Sequence, residues 1–358
     1  MADLTQGLNS LAALRVLEQD FYEHFEFESF YRALLEYFLK HYGVEEYSPL
    51  TIPQMKKLNE FVGDWFEGKA AGIEPFIVKA FVIGRLSNIQ ETVTPLQLLK
   101  IQDLPEKIQQ AAVKYNLTAN QVRALQFAER EATKNIVNVS TDTAAQIQDM
   151  ILESIKNKGY YGFLQRKLTE AFAADGTIEK DWRMIAVTEL NSARNNGYIS
   201  GVKSGKFVMG LSVPRCCDFC DEFINGKIYA VIEPKGDIDY DGLTPGTPEY
   251  IRRSWLWENT VWTGKSNFGR SRAKSKKIDP HKTHAKENLT ARAHHEQWMP
   301  TVPAHPACRC TYLEINSNTQ FIDKKGDLKL KFQDPKAWQE WYDRVIKPRE
   351  MQIKKFGH

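Results

Sequence analysis

The sequence predicts an α+β protein: a mainly helical N-terminal domain, then a small zinc-stapled β-containing module with a long basic insertion and a C-terminal helix. Three observations point there. Up to about residue 205 apolar residues recur at three- and four-residue steps, the period of a helix with one buried face. Beyond Gly205 short alternating segments replace that period. All five cysteines then fall in two tight clusters, Cys216-Cys217-Asp-Phe-Cys220 and Cys308-Arg-Cys310.

The first helical pattern runs through Leu11, Leu14, Leu17, Phe21 and Phe25, continues with Tyr31, Leu35 and Phe38, and ends at Gly43. Pro49, Pro53, Pro75, Pro95 and Pro105 divide the next part of the chain into short to medium helices. Three more helical patterns extend from about Ser140 to Lys203, with boundaries near Gly159 and Asp175-Gly176. Val208 to Val213 reads as a short strand, Asn225-Gly226 as a turn before Lys-Ile-Tyr-Ala-Val-Ile, and Thr311 to Ile315 as an alternating strand. Between them, the stretch from Pro234 to Pro306 is weakly periodic and rich in Gly, Pro, Asp, Trp and Lys. A last amphipathic helix is expected from Pro335. The expected organisation is a helical domain over 1–140, a core over 141–315 with an insertion at 234–303, and a tail over 316–358.

At 358 residues with 42% hydrophobic and 26% charged side chains, the chain can bury a sizeable core, which excludes wholesale disorder and a fibrous repeat. No apolar run reaches the roughly 18 residues of a membrane span, so no membrane association is expected. The N-terminal Met-Ala-Asp-Leu-Thr-Gln-Gly has no basic n-region, and a secretory leader is not expected. Clustered thiols in a chain made in reducing cytosol favour metal binding over disulfides.

The net charge of +3 hides an asymmetry, because the first 100 residues carry a net −5 and the remaining 258 a net +8. Between Lys265 and His295 lie nine cations, Lys265, Arg270, Arg272, Lys274, Lys276, Lys277, Lys282, Lys286 and Arg292, against Asp279 and Glu287. The N-terminal region is also rich in aromatics. Tyr22, Phe25, Phe27, Phe30, Tyr31, Tyr37 and Phe38 exceed one narrow core stripe, so part of this set is expected on an exposed face that engages another protein.

The cysteines carry the most chemistry. Cys217 and Cys220 are two residues apart, which lets both thiolates of a turn face one point, and Cys308 and Cys310 project to one side of an extended segment. With His305 as a further ligand, four of these five residues would close a structural zinc shell.

Three pieces in fixed order carry a resemblance: Arg183-Met-Ile-Ala-Val-Thr188-Glu189-Leu-Asn-Ser-Ala193, then Cys217-x-x-Cys220 with Asp221-Glu-Phe-Ile-Asn-Gly226-Lys227, then His305-Pro-Ala-Cys308-Arg-Cys310. Together, over Arg183 to Leu313, they resemble the minor head proteins of tailed bacteriophages, the head morphogenesis family that includes Mu F-like proteins. The resemblance implies a virion component of the capsid interior near the portal, present in host cytoplasm during assembly. It implies contact with portal protein, with major capsid protein and with packaged DNA, and a role in head assembly, DNA packaging or ejection. Only 48 residues follow Cys310, too few for the toxin or nuclease domain that some relatives append, which implies the plain, non-enzymatic form.

Two enzymatic readings compete. Glu189 on a helix has the chemistry of a general base, but no nucleophile or second carboxylate accompanies it, and a buried Glu189 bonded to Arg183 or to the zinc-site backbone is expected instead. His281, His284, His294 and His295 lie between the cysteine clusters, an arrangement similar to treble-clef nucleases. A metal-dependent nuclease acting on DNA is therefore the alternative. Gly264-Lys265-Ser266 lacks the leading glycine of a phosphate loop, with Asn259 in its place.

If the cationic segment meets DNA, affinity rests on counterion release and falls steeply with salt, without sequence preference. Replacing Lys274, Lys276 and Lys277 by Gln should weaken binding to random duplex DNA at low salt in a filter-binding assay; unchanged binding leaves an acidic protein surface as the partner.

Overall fold

The helical period of the first 42 residues is interrupted where Glu26 adopts a left-handed φ of 51°. This single residue separates α1 (Ala2–His24) from α2 (Phe27–Tyr42), so the continuous pattern of the sequence is two helices. The computed structural model describes residues 2–42, 51–89, 103–156, 161–173, 176–203, 207–211, 220, 224, 226–231, 260–266 and 308–315. The expected C-terminal helix and the tail lie outside these residues.

Pro53 and Pro75 open helices rather than end them, since a first-turn proline lacks only an N–H that has no helical partner. Pro53 lies in the first turn of α3 (Ile52–Ala70), where the Thr51 N–H donates to Gln54 Oε1 at 2.8 Å. Pro75 lies in the first turn of α4 (Glu74–Ile89). Glu74 Oε1 also accepts from the Ile108 N–H at 2.9 Å, at the start of the short α5 (Ile108–Lys114). Next comes α6 (Ala119–Lys156), 38 residues long and opened by a reciprocal capping box between Thr118 and Gln121. It begins at Ala119 rather than near Ser140, because nothing between them breaks a helix. The last two described helices are α7 (Tyr161–Ala171) and α8 (Thr177–Gly201).

Four short strands form an antiparallel sheet in the order β3-β2-β1-β4: β1 (Phe207–Leu211), β2 (Lys227–Val231), β3 (Thr260–Ser266) and β4 (Thr311–Ile315). Gly226 reaches β2 with a φ of 71°, and its N–H donates to Gly210 O at 2.8 Å. The strand β3 falls inside the expected insertion. Its register with β2 shifts between the pairs Tyr229–Trp262 and Lys227–Ser266, an irregularity that includes Gly264 and conceals period-two alternation. Gly264-Lys265-Ser266 is thus strand.

The chain divides into two compact units. One comprises Glu18–Ile73 and Glu131–Ala186, and its core is aromatic. Trp182 stacks on Phe66 at 4.3 Å between ring centroids, meets Phe25 at 4.6 Å, and donates its indole N–H to Thr143 Oγ1 at 3.1 Å. Phe25, Phe27, Phe30 and Phe38 are buried there, whereas Tyr22, Tyr31 and Tyr37 are partly exposed, so the expected exposed aromatic face narrows to three tyrosines. Burying rings of this size dominates the local energetics.

The other unit comprises Met1–Leu17, Glu74–Arg130 and Val187–His358. Here α4 and the C-terminal part of α8 meet backbone to backbone. A Cβ on Gly84 would fall on the Arg194 carbonyl, and one on Gly197 would fall on the Phe81 carbonyl. Buried Phe81, Val82, Leu190, Ala193 and Ile199 surround the crossing. No helix among the described residues is long and apolar enough to cross a membrane.

The crossing predicts opposite responses to one added methyl group. Gly84→Ala or Gly197→Ala should destabilise by roughly 1–3 kcal/mol, the ordinary range for overpacking. Gly63→Ala, whose new methyl group would meet nothing within 4 Å, should be neutral or stabilise slightly, since alanine favours a helix interior. Thermal unfolding of the three variants checks the contrast.

Candidate metal centre

Asparagine competes with helical hydrogen bonds and is disfavoured in helix interiors, yet α8 carries Asn191, Asn195 and Asn196, all fully buried. The first two face the segment leading into β4. Asn191 Nδ2 donates to the carbonyls of Cys308 at 2.8 Å and Cys310 at 2.9 Å. One turn later, Asn195 Nδ2 donates to Cys310 O at 3.2 Å, to Asn191 O at 2.9 Å and to Asn191 Oδ1 at 3.2 Å. Asn195 Oδ1 in turn accepts from Thr311 Oγ1 at 3.2 Å and from Arg194 Nη1 at 3.1 Å. A turn further, the Tyr198 hydroxyl accepts from the Glu314 N–H at 2.6 Å, so side chains of α8 engage the edge strand β4 along its length.

Arg194 is fully buried, and desolvation lowers its pKa to about 10, with the neighbouring Tyr198 opposing that shift. It remains protonated at neutral pH. Its guanidinium lies 5.7 Å from the Tyr198 ring centre.

This scaffold holds three buried thiols together. Cys220, Cys308 and Cys310 are not joined in disulfides, and their sulfurs lie within 4.8 Å of one another. Cys220 Sγ and Cys308 Sγ are 3.7 Å apart. A tetrahedral zinc shell with bonds of about 2.3 Å spaces its sulfurs by about 3.8 Å, so this separation suits two ligands of one ion and is far too long for a disulfide. Three soft donors in a water-excluded pocket match the preference of zinc for thiolate. The donor set therefore fits a metal.

Of the sequence-predicted ligands, Cys220, Cys308 and Cys310 come together although 87 residues separate the first two. Cys217 and His305 lie outside the described residues, as do Arg270, Arg272, Lys274, Lys276, Lys277, Lys282 and Lys286 of the cationic segment. Lys265 lies in β3. Glu189 is buried on α8, as expected. Of the two partners expected for Glu189, Arg183 or the zinc-site backbone, Arg183 engages another carboxylate. It pairs with Glu179, one turn earlier on the same helix, and its guanidinium lies over the Tyr22 ring at 4.2 Å. Helical spacing explains the correction: residues four apart are neighbours on a helix face, whereas residues six apart are not.

Sequence reading missed Asn191, Asn195, Thr311 and Tyr198. The available signal was asparagine recurring at a four-residue step inside an otherwise well-formed helix. Comparison with known proteins finds no matching family model, no similar curated protein and no similar solved structure.

Two outcomes follow from the site and from the Arg183 cluster. Stripping metal with a chelator should lower the melting temperature, because metal affinity is also folding free energy, and Cys220→Ser should abolish most of that chelator-sensitive increment. Separately, burial first and the Glu179 carboxylate second raise the Tyr22 phenol from 10.0 to about 12, with Arg183 acting in the opposite direction. The folded-state pKa lies above the unfolded one, so this contribution is fully present below pH 10.0 and is lost as pH rises through about 12. Alkaline denaturation should therefore be shallower over that window in Tyr22→Phe than in the unsubstituted protein.

Proposed function

We propose that the chain is a structural minor head protein of a tailed phage, whose Cys-rich module is stapled by zinc. The observation that carries this reading is the convergence of the three motif pieces behind the resemblance. Asn191, from the Arg183–Ala193 piece, bonds the backbone of the Cys308-Arg-Cys310 piece, and Cys220, from the Cys-x-x-Cys piece, meets Cys308. Pieces that are weak singly in sequence support one another when they build one site.

In this reading Cys220, Cys308 and Cys310 supply three thiolates, and Cys217 or His305 supplies the fourth ligand. Bound there, zinc supplies a cross-link between the β1–β2 connection and β4. A closed shell with no open position is a staple rather than a catalyst. Glu189 then has a packing role. Portal protein is the proposed principal partner, with major capsid protein and non-specific contact to packaged DNA as further ones, at the portal vertex inside the head.

The test sets this reading against its enzymatic alternative. Purified zinc-loaded protein incubated with supercoiled plasmid and Mg²⁺ or Mn²⁺ should leave the plasmid intact, and co-expression with the portal protein of the same genome should yield a complex. Metal-dependent nicking that is lost on replacing His281 or His284 would establish the nuclease instead.

A further inference from the structure

We infer that Asn191 is the positioning residue of the metal centre: one carboxamide on α8 sets the spacing of the Cys308 and Cys310 thiols by holding both of their carbonyls. The inference rests on the zinc reading and assigns a role that the ligand set alone does not contain. Both bonds of the terminal Asn191 atom go to carbonyl oxygens, at 2.8 and 2.9 Å. That atom must therefore be the nitrogen, because an oxygen would face two acceptors. With the amide orientation settled, Asn191 Oδ1 is left to accept, and Asn195 Nδ2 donates to it at 3.2 Å. Asn195 Oδ1 accepts in its turn from Thr311 and Arg194. Every amide role along the chain is thus directed one way, from Arg194 and Thr311 toward the cysteine carbonyls.

The geometric consequence concerns the two ligands on one segment. With the carbonyls of Cys308 and Cys310 both tied to one nitrogen, the peptide planes that carry the two Cα–Cβ bonds lose most of their rotational freedom. The thiols are then presented together before a metal arrives. Hydrogen-bonded partners of ligating residues commonly contribute 10- to 100-fold to metal affinity in this way. Because the pair lies on a buried helix face, water cannot replace the lost donors cheaply.

Zinc affinity of the full chain, measured by competition with a chromogenic chelator, tests the role, with Co²⁺ substitution reporting thiolate coordination through its charge-transfer absorption. Asn191→Ala should weaken zinc binding by about 10- to 100-fold and reduce or shift the cobalt–thiolate band. Asn191→Ser, which keeps one donor, should fall between. An unsubstituted protein that binds zinc, with variants of unchanged affinity and spectrum, would overturn the positioning role and leave the zinc reading standing. Failure of the unsubstituted protein to bind zinc or cobalt would overturn the zinc reading, and the positioning role with it. Should both variants unfold, side-chain hydrogen exchange in the unsubstituted protein decides: Asn191 amide protons should already be protected in the zinc-free protein, and unprotected, freely exchanging Asn191 amide protons in that state would overturn the inference.

Discussion

One buried carboxamide, that of Asn191, donates to two carbonyl oxygens, those of Cys308 and Cys310, and Asn195 adds a second donor to Cys310, so that α8 fastens the segment that leads into β4. A buried carbonyl left without a donor costs about 1–3 kcal/mol, more than the net worth of the bond itself. Asn191 donates to both carbonyls, and Asn195 shares the second of them. Asn191 also fastens a segment far away in sequence to α8, a helix that crosses α4 closely at Gly84 and Gly197. The strand β4, the cysteines before it and the helix therefore locate one another.

The same constraint accounts for the size and position of the sheet. Four strands of five to seven residues make only a small sheet, which needs a hydrophobic face packed against a partner to be stable. Here Tyr198 of α8 accepts from the Glu314 N–H of β4 and Asn195 accepts from the Thr311 hydroxyl, and β1 packs between β2 and β4 with Val208 and Met209 buried. A metal held by Cys220, Cys308 and Cys310 would add a cross-link of the kind small β modules use where their core is thin. In the other compact unit no such device is needed, because Trp182, Phe66, Phe25 and Phe27 make a continuous aromatic core.

Much of this was legible in the sequence, and the rest was hidden for identifiable reasons. Period-two alternation revealed Thr311–Ile315, the Asn225-Gly226 dipeptide announced β2, and cysteine clustering singled out the three thiols that come together, Cys220, Cys308 and Cys310. The break at Glu26 was not legible, since a left-handed glutamate carries no signal of its own, unlike glycine. The strand β3 was hidden by its irregular register around Gly264. The aromatic set near the N-terminus divides by chemistry: the four phenylalanines are buried, while Tyr22, Tyr31 and Tyr37 stay partly exposed. The roles of Asn191 and Asn195 depend on a segment more than a hundred residues away, which no local pattern encodes.

The central claim is that the three thiols are ligands of one metal ion held by the α8 scaffold. X-ray absorption at the zinc edge of the purified full-length protein tests it most directly. The account predicts one zinc per chain with at least three sulfur neighbours at about 2.3 Å. A chain free of zinc, or a shell made only of nitrogen and oxygen, would contradict it.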